Sequence, residues 1–169
     1  MDKSALFLEQ FAKNAPLIGG LFHGLAHEEL GELVGLSEMA VFDGGAEVFR
    51  EGDAGDTMYV VISGKFAVTR LDALGNEVRL ATVGDGEAFG EIVLLEHVRR
   101  TATVRALIPS VALCFGRQAL EHLPGLTMKL YQNMVLMLAR RLRLTTDELL
   151  LQETQRRRAA GETGQAAES

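Results

Sequence analysis

A chain of 169 residues, 47% of them hydrophobic, is long enough for one domain with its own core plus an appendage. A formal net charge of −6 argues against a surface built to neutralise nucleic-acid phosphates. The single cysteine, Cys114, excludes an intramolecular disulfide and a thiolate metal cluster, and its apolar setting, Val111-Ala112-Leu113-Cys114-Phe115, predicts a buried, inert thiol.

The start, Met1-Asp2-Lys3-Ser4, lacks the basic stretch and cleavage pattern of a secretory signal. The longest apolar run, Met134 to Ala139, is far short of the roughly 20 residues of a membrane span. A cytoplasmic protein without a membrane partner is expected. Residues 1–37 read as a helical segment. Leu6, Phe7, Phe11 and Leu17 recur at roughly helical spacing, Pro16 and Gly19-Gly20 interrupt them, and His27 to Leu36 puts Leu30, Leu33 and Val34 on one face. From 38 to 116 short β-rich runs are punctuated by Gly44-Gly45, Gly52, Gly55, Gly64, Gly75-Asn76, Gly84 and Gly86. Turns about every 8–12 residues predict a sandwich or barrel. Tyr59 to Val68 reads as two strands around Gly64, and Leu71 to Glu77 as a hairpin tip.

Residues 89–104 carry the chemistry. Gly90 lets backbone approach a ligand, Glu91 follows, and a short amphipathic turn leads to Arg100 and Thr101 before a β-branched strand. Unpaired amides at the start of a helical turn favour an anion. An arginine adds a planar fork matched to two phosphate oxygens. A carboxylate beside a phosphate makes sense when it faces a donor on the same ligand, such as a sugar hydroxyl.

This run, Phe89-Gly90-Glu91 through Arg100-Thr101-Ala102-Thr103-Val104, resembles the phosphate-binding cassette of the cyclic-nucleotide-binding domains. The likeness extends over roughly residues 22–152. It implies an α+β fold: an eight-stranded antiparallel β-roll, jelly-roll-like, with N-terminal helices and a long C-terminal dimerisation helix. It further implies that Glu91 takes the ribose 2′-hydroxyl and Arg100 the cyclic phosphate. The amides of Gly90, Ile92, Val93 and Thr101 would line the phosphate pocket. Arg99 stands where many members carry proline, although the cyclic-nucleotide-gated and hyperpolarisation-activated channels share the double arginine. By the same likeness Val68 and Leu80 would form the apolar wall of the base pocket; as ordinary barrel core they would look identical.

After Arg117, residues 117–152 read as a short helix and a long one parted by Pro124-Gly125. Val135, Leu138, Leu142, Thr145 and Leu149 alternate at spacings of three and four, a coiled-coil seam, while Leu130, Met134, Met137 and Leu144 make a second stripe for the barrel. A homodimer through helix 125–152 is expected. Ala139 to Thr146 resembles the dimer helix of the catabolite-activator branch of the family. That implies Thr145 on the base bound by its own chain, Thr146 on the partner's, and Arg141 near the ligand. Threonines in helices also serve simply for packing or back-bonding. By this likeness the threonine pair favours cAMP, whereas Thr101, which in the family can reach a guanine 2-amino group, keeps cGMP open.

Residues 153–169, rich in Gln, Glu, Ala and Gly, read as a disordered tail too short for a helix-turn-helix domain, so direct DNA binding is not expected. Arg99 and Arg156-Arg157-Arg158 read as solvated charge. His23, His27, His97 and His122 show no metal-ligand spacing, and the H-x-H cluster of a cupin-type metalloenzyme is missing. The resulting expectation is a cyclic-nucleotide switch, not an enzyme. Ligand binding would repack Ile92, Leu94 and Leu95 and shift helix 117–152 toward an unidentified downstream protein. The competing readings are a docking or dimerisation module without useful ligand affinity, and a separate regulatory subunit of an enzyme.

Overall fold

The computed structural model describes residues 20–96 and 98–166, with side chains through residue 159. Leu6, Phe7, Phe11, Pro16, Leu17, Gly19 and His97 therefore lie outside the described residues. The chain divides into two compact units, Met1–Met134 and Val135–Ser169.

In the first unit a 3-10 turn (Gly20–Phe22) and helix α1 (His27–Gly35) precede the strands. These are β1 (Glu38–Phe42), β2 (Glu47–Phe49), β3 (Thr57–Ser63), β4 (Phe66–Leu71), β5 (Glu77–Val83), β6 (Ala88–Phe89), β7 (Thr103–Ala106) and β8 (Ser110–Gly116). Helix α2 (Ile92–Leu95) interrupts them between β6 and β7; α3 (Arg117–Glu121) and α4 (Pro124–Ala166) follow. The strands form two four-stranded sheets, β1-β8-β3-β6 and β2-β7-β4-β5, with every pairing antiparallel. The expected eight-stranded antiparallel roll is what the chain forms.

Side chains alternate across a strand, so residues two apart share a face. Along β3 this sends Tyr59 and Val61 into the roll and Met58 and Val60 to the opposite face, yet Met58, Val60 and Val61 are all fully buried. Both faces of β3 are thus covered. Inside the roll Val61, Phe66, Val83, Phe89, Val104, Ala106 and Ala112 form the core, with Phe42, Phe49, Tyr59 and Val68 packed on it. The aromatic rings of Tyr59 and Phe89 stack at 5.0 Å. Outside the strands, the helical residues Leu30, Leu33, Leu120, Leu126, Leu130 and Met134 are among those that supply buried apolar surface. Polar contacts fix this cover. Lys129 pairs with Glu29 at 2.7 Å, and the buried Asn133 amide donates to the carbonyls of Leu21 and His23, both at 2.8 Å.

Leu80 falls in a β-bulge: Val68 pairs with Ala81 and Thr69 with Arg79, so Leu80 has no partner across the ladder. It is 56% exposed, which rules out the barrel-core reading for this residue, whereas Val68 packs on the core. Cys114 also differs from expectation. It is half-buried rather than buried, with its thiol pushed above the ordinary range first by desolvation and then by the charge of Glu38 opposite it.

The second unit is the continuation of α4. Of the expected seam, Val135, Leu142 and Leu149 are 59–70% exposed, and from the second stripe Leu144 is 52% exposed. The tail expected to be disordered from residue 153 continues the helix through Ala166 instead. The reason is local: Glu153, Gln155, Arg156–Arg158, Ala159 and Ala160 are good helix formers, and Arg157 pairs with Glu153 one turn back. Among the described residues no helix is long and apolar enough to cross a membrane.

Candidate functional site

The cassette begins where β6 ends. Gly90 holds φ at +75°, a conformation that lets the chain turn sharply from Phe89 into α2 and that a side chain there would strain. Glu91 occupies the cap position of α2 and is buried at 3% exposure. The amides of Ile92 and Val93 fall in the first helical turn, where no preceding helical carbonyl is available to them. Val93 and Leu94 are buried, while Ile92 and Leu95 are half-buried. Beyond the cassette, Arg117 at the start of α3 donates to the Val93 carbonyl at 2.7 Å, tying the following helix to α2.

Arg100 is the centre of the site. A loop after β2 is stitched to its backbone: the Gly52 amide donates to the Arg100 carbonyl at 2.8 Å, and the Arg100 amide donates to the Asp53 carbonyl at 2.9 Å. Arg99, read from sequence as solvated, is exposed but donates to the Gly52 carbonyl at 2.9 Å and so helps close the same loop. With its backbone fixed, the Arg100 side chain turns inward and is only 5% exposed. Its Cζ sits 4.0 Å from the centre of the Phe49 ring, a cation–π contact. Nη1 donates to the Thr57 carbonyl at 2.7 Å and to the Gly90 carbonyl at 3.3 Å; Nη2 donates to the Thr57 hydroxyl at 3.0 Å.

The remaining donor, Nε, is buried without a hydrogen-bond partner. No carboxylate among the described residues forms an ion pair with this guanidinium. Burial pulls its pKa below the ordinary arginine value, opposed by the charges of Tyr59, Asp56 and Asp53. Arginine stays protonated all the same. A buried cation with an idle N–H and no bonded anion is a costly arrangement that an anionic ligand would relieve.

The first unit therefore brings together Gly90, Glu91, Ile92, Val93 and Arg100, with Thr101 exposed beside them. Val68 lies on β4 opposite Val104, and Leu80 on the exposed bulge of β5. Arg141, Thr145 and Thr146 belong to the second unit. Arg141 is half-buried and both threonines are exposed. The Thr146 hydroxyl donates to the Leu142 carbonyl at 2.9 Å, the back-bonding alternative. Three contributors to the arginine slot, Phe49, Gly55 and Thr57, escaped the sequence reading. The run Glu51-Gly52-Asp53-Ala54-Gly55-Asp56 was the available signal: two glycines among acids mark a tight loop, but not the arginine it encloses. Among the described residues no group of three or more His, Cys, Asp or Glu is placed to hold a metal ion.

A β-roll with a short internal helix and a buried arginine whose Nε lacks a partner defines a class of domain with a candidate anion site. The comparisons with known proteins agree. The model of the family described as "Cyclic nucleotide-binding domain" matches residues 39–124, half of the chain, and the chain belongs to that family. The cyclic AMP receptor protein of Thermus thermophilus is 35% identical over 140 residues, covering 81% of this chain and 65% of its own. The crystal structure of the Thermus thermophilus catabolite activator protein superposes with a TM-score of 0.70 at 36% identity, covering 78% of this chain and 62% of that one. The regulatory domain of Toxoplasma gondii PKA, solved with cAMP, gives 0.63 at 28% identity over 72% of this chain and 45% of its own. This chain thus spans less than two thirds of the length of the first curated relatives it matches.

Proposed function

We propose that this chain is a cyclic-nucleotide sensor, with cAMP as its ligand, that works as a dimeric switch rather than a catalyst. The observation that carries the reading is the idle Nε of Arg100, buried in a slot with no ion-paired carboxylate, on a guanidinium that also donates to the Gly90 carbonyl just before α2. That donor set fits a singly charged phosphate diester. Arg100 takes the phosphate, assisted by the amides of Gly90, Ile92, Val93 and Thr101. Glu91, buried at the cap of α2, takes the ribose 2′-hydroxyl. Val68 and Leu80 flank the base, and Leu80 is an exposed apolar side chain that gains a cover. For Arg141, Thr145 and Thr146 the likeness to the dimer helix of the catabolite-activator branch supports a role toward the base and the ligand.

Two features of the chain support a switch. Arg117 joins the Val93 carbonyl to the start of α3, so repacking of α2 is felt by the helices that follow. The exposed Val135, Leu142 and Leu149 supply a seam for a second copy, which links base binding to subunit geometry. The cAMP-bound and cAMP-receptor relatives favour cAMP. The exposed Thr101 makes cGMP the second reading. The downstream partner is a protein, reached through movement of α4.

Isothermal titration with cAMP, cGMP and AMP tests this. Saturable heat with cAMP at one site per chain, weaker heat with cGMP and none with AMP is expected. Silence with both cyclic nucleotides overturns the sensor reading in favour of a docking module.

A further inference from the structure

A guanidinium has two edges that can each grip an acceptor pair: the end-on edge between Nη1 and Nη2, and the side-on edge formed by Nε and Nη2. In Arg100 the end-on edge is taken by one residue. Thr57 receives Nη1 on its carbonyl at 2.7 Å and Nη2 on its hydroxyl at 3.0 Å. One face is covered by the Phe49 ring at 4.0 Å. What stays unpaired is the Nε donor of the side-on edge, which is buried. Gly55 keeps that edge clear: a Cβ there would stand 2.6 Å from Nε and 2.7 Å from Nη2, closer than any real contact.

We propose that Thr57 is a positioning residue: by occupying the end-on edge of Arg100 with its two oxygens, it reserves the side-on edge for a phosphate. The inference rests on Arg100 being the phosphate contact. Thr57 opens β3, whose ladder with β8 fixes its backbone opposite Gly116, so the carbonyl is a rigid acceptor. The hydroxyl adds the second point that stops the guanidinium rotating about the first. Without it Nη2 is free to swing, and the Nε edge loses its fixed aim.

Titration of the full chain with cAMP tests the assignment, using wild type, Thr57→Val and Thr57→Ser. Valine keeps the shape and removes only the hydroxyl; affinity is expected to fall about tenfold, and serine to restore it to within about threefold. General damage to the fold is separated by a double-mutant cycle. In an Arg100→Lys background Thr57→Val is expected to cost nothing further, because the edge it aims no longer exists. Should Thr57→Val fail to fold, Gly55→Ala gives the second reading, since its methyl group intrudes on the Nε edge and must weaken binding with Thr57 intact. Wild-type binding with unchanged affinity in Thr57→Val or Gly55→Ala overturns this inference alone. Equal losses from Thr57→Val in the wild-type and Arg100→Lys backgrounds overturn it as well. A wild type that gives no heat removes the phosphate role of Arg100 and the inference with it.

Discussion

Replacing Arg100 by leucine separates ligand binding from folding, and the expected sizes follow from its surroundings. The side chain is 5% exposed with one donor edge idle, so a phosphate there would gain about two charge-assisted hydrogen bonds, each contributing roughly 1.5–3 kcal/mol. Losing both is expected to weaken cAMP binding by about two to four orders of magnitude. The unliganded protein should suffer far less. Leucine leaves the Thr57 carbonyl, the Thr57 hydroxyl and the Gly90 carbonyl without their donor, but it also removes a buried charge that has no bonded counter-ion. These effects oppose, and the melting temperature moves by only a few degrees.

Thermal melting with and without cAMP reads both quantities. Ligand at about 100 times the wild-type Kd stabilises by about 2.7 kcal/mol, which for a chain of this length raises Tm by about 5–11 °C. At the same concentration a variant with a hundredfold weaker Kd gains about 0.4 kcal/mol, or roughly 1 °C. A variant that keeps more than half of the wild-type shift refutes the assignment of Arg100 to the phosphate.

Three other outcomes are expected. Glu91→Gln should weaken cAMP about tenfold while leaving 2′-deoxy-cAMP, which lacks the hydroxyl it would hold, nearly unaffected; equal losses for both ligands, measured by titration calorimetry, would contradict the ribose contact. Asn133→Ala strips the carbonyls of Leu21 and His23 of their donor, so it should lower Tm by about 2–12 °C through a loss of about 1–3 kcal/mol, as scanning calorimetry would show. Leu142→Glu combined with Leu149→Glu places charge on the exposed seam and should convert a dimer to a monomer in sedimentation velocity, with Tm of the roll unchanged.

The sequence announces some of this structure and conceals the rest for identifiable reasons. Several strand boundaries were legible because glycine marks the turn: Gly64 between β3 and β4, and Gly75 in the tip between Leu71 and Glu77, both lie where the composition places them. The cassette was legible because Gly90, Glu91 and Arg100 are near neighbours in the chain, so local spacing carries the pattern. The slot around Arg100 was not, because Thr57 and Gly55 approach it across more than 40 residues of chain and only the strand pairing brings them there. A threonine before Met58-Tyr59-Val60 reads as any strand start. For Leu80 the sequence left the pocket wall and the barrel core indistinguishable, because a bulge shifts register by one and period-two alternation cannot reveal which residue slips. The helix beyond Gln152 was missed for the opposite reason. Polar composition suggested disorder, whereas Glu, Gln, Arg and Ala are also residues that sustain a helix without an apolar face.

Arg100 also offers the most direct probe of the whole account, since its Nε–H can be followed by itself. In a ¹H–¹⁵N spectrum of the uniformly labelled chain, assigned by the loss of one peak in Arg100→Lys, titration with cAMP should move that resonance strongly downfield. The movement should saturate together with the calorimetric heat, and adenosine should not reproduce it. A resonance that stays in place while cAMP binds would mean that the phosphate lies elsewhere.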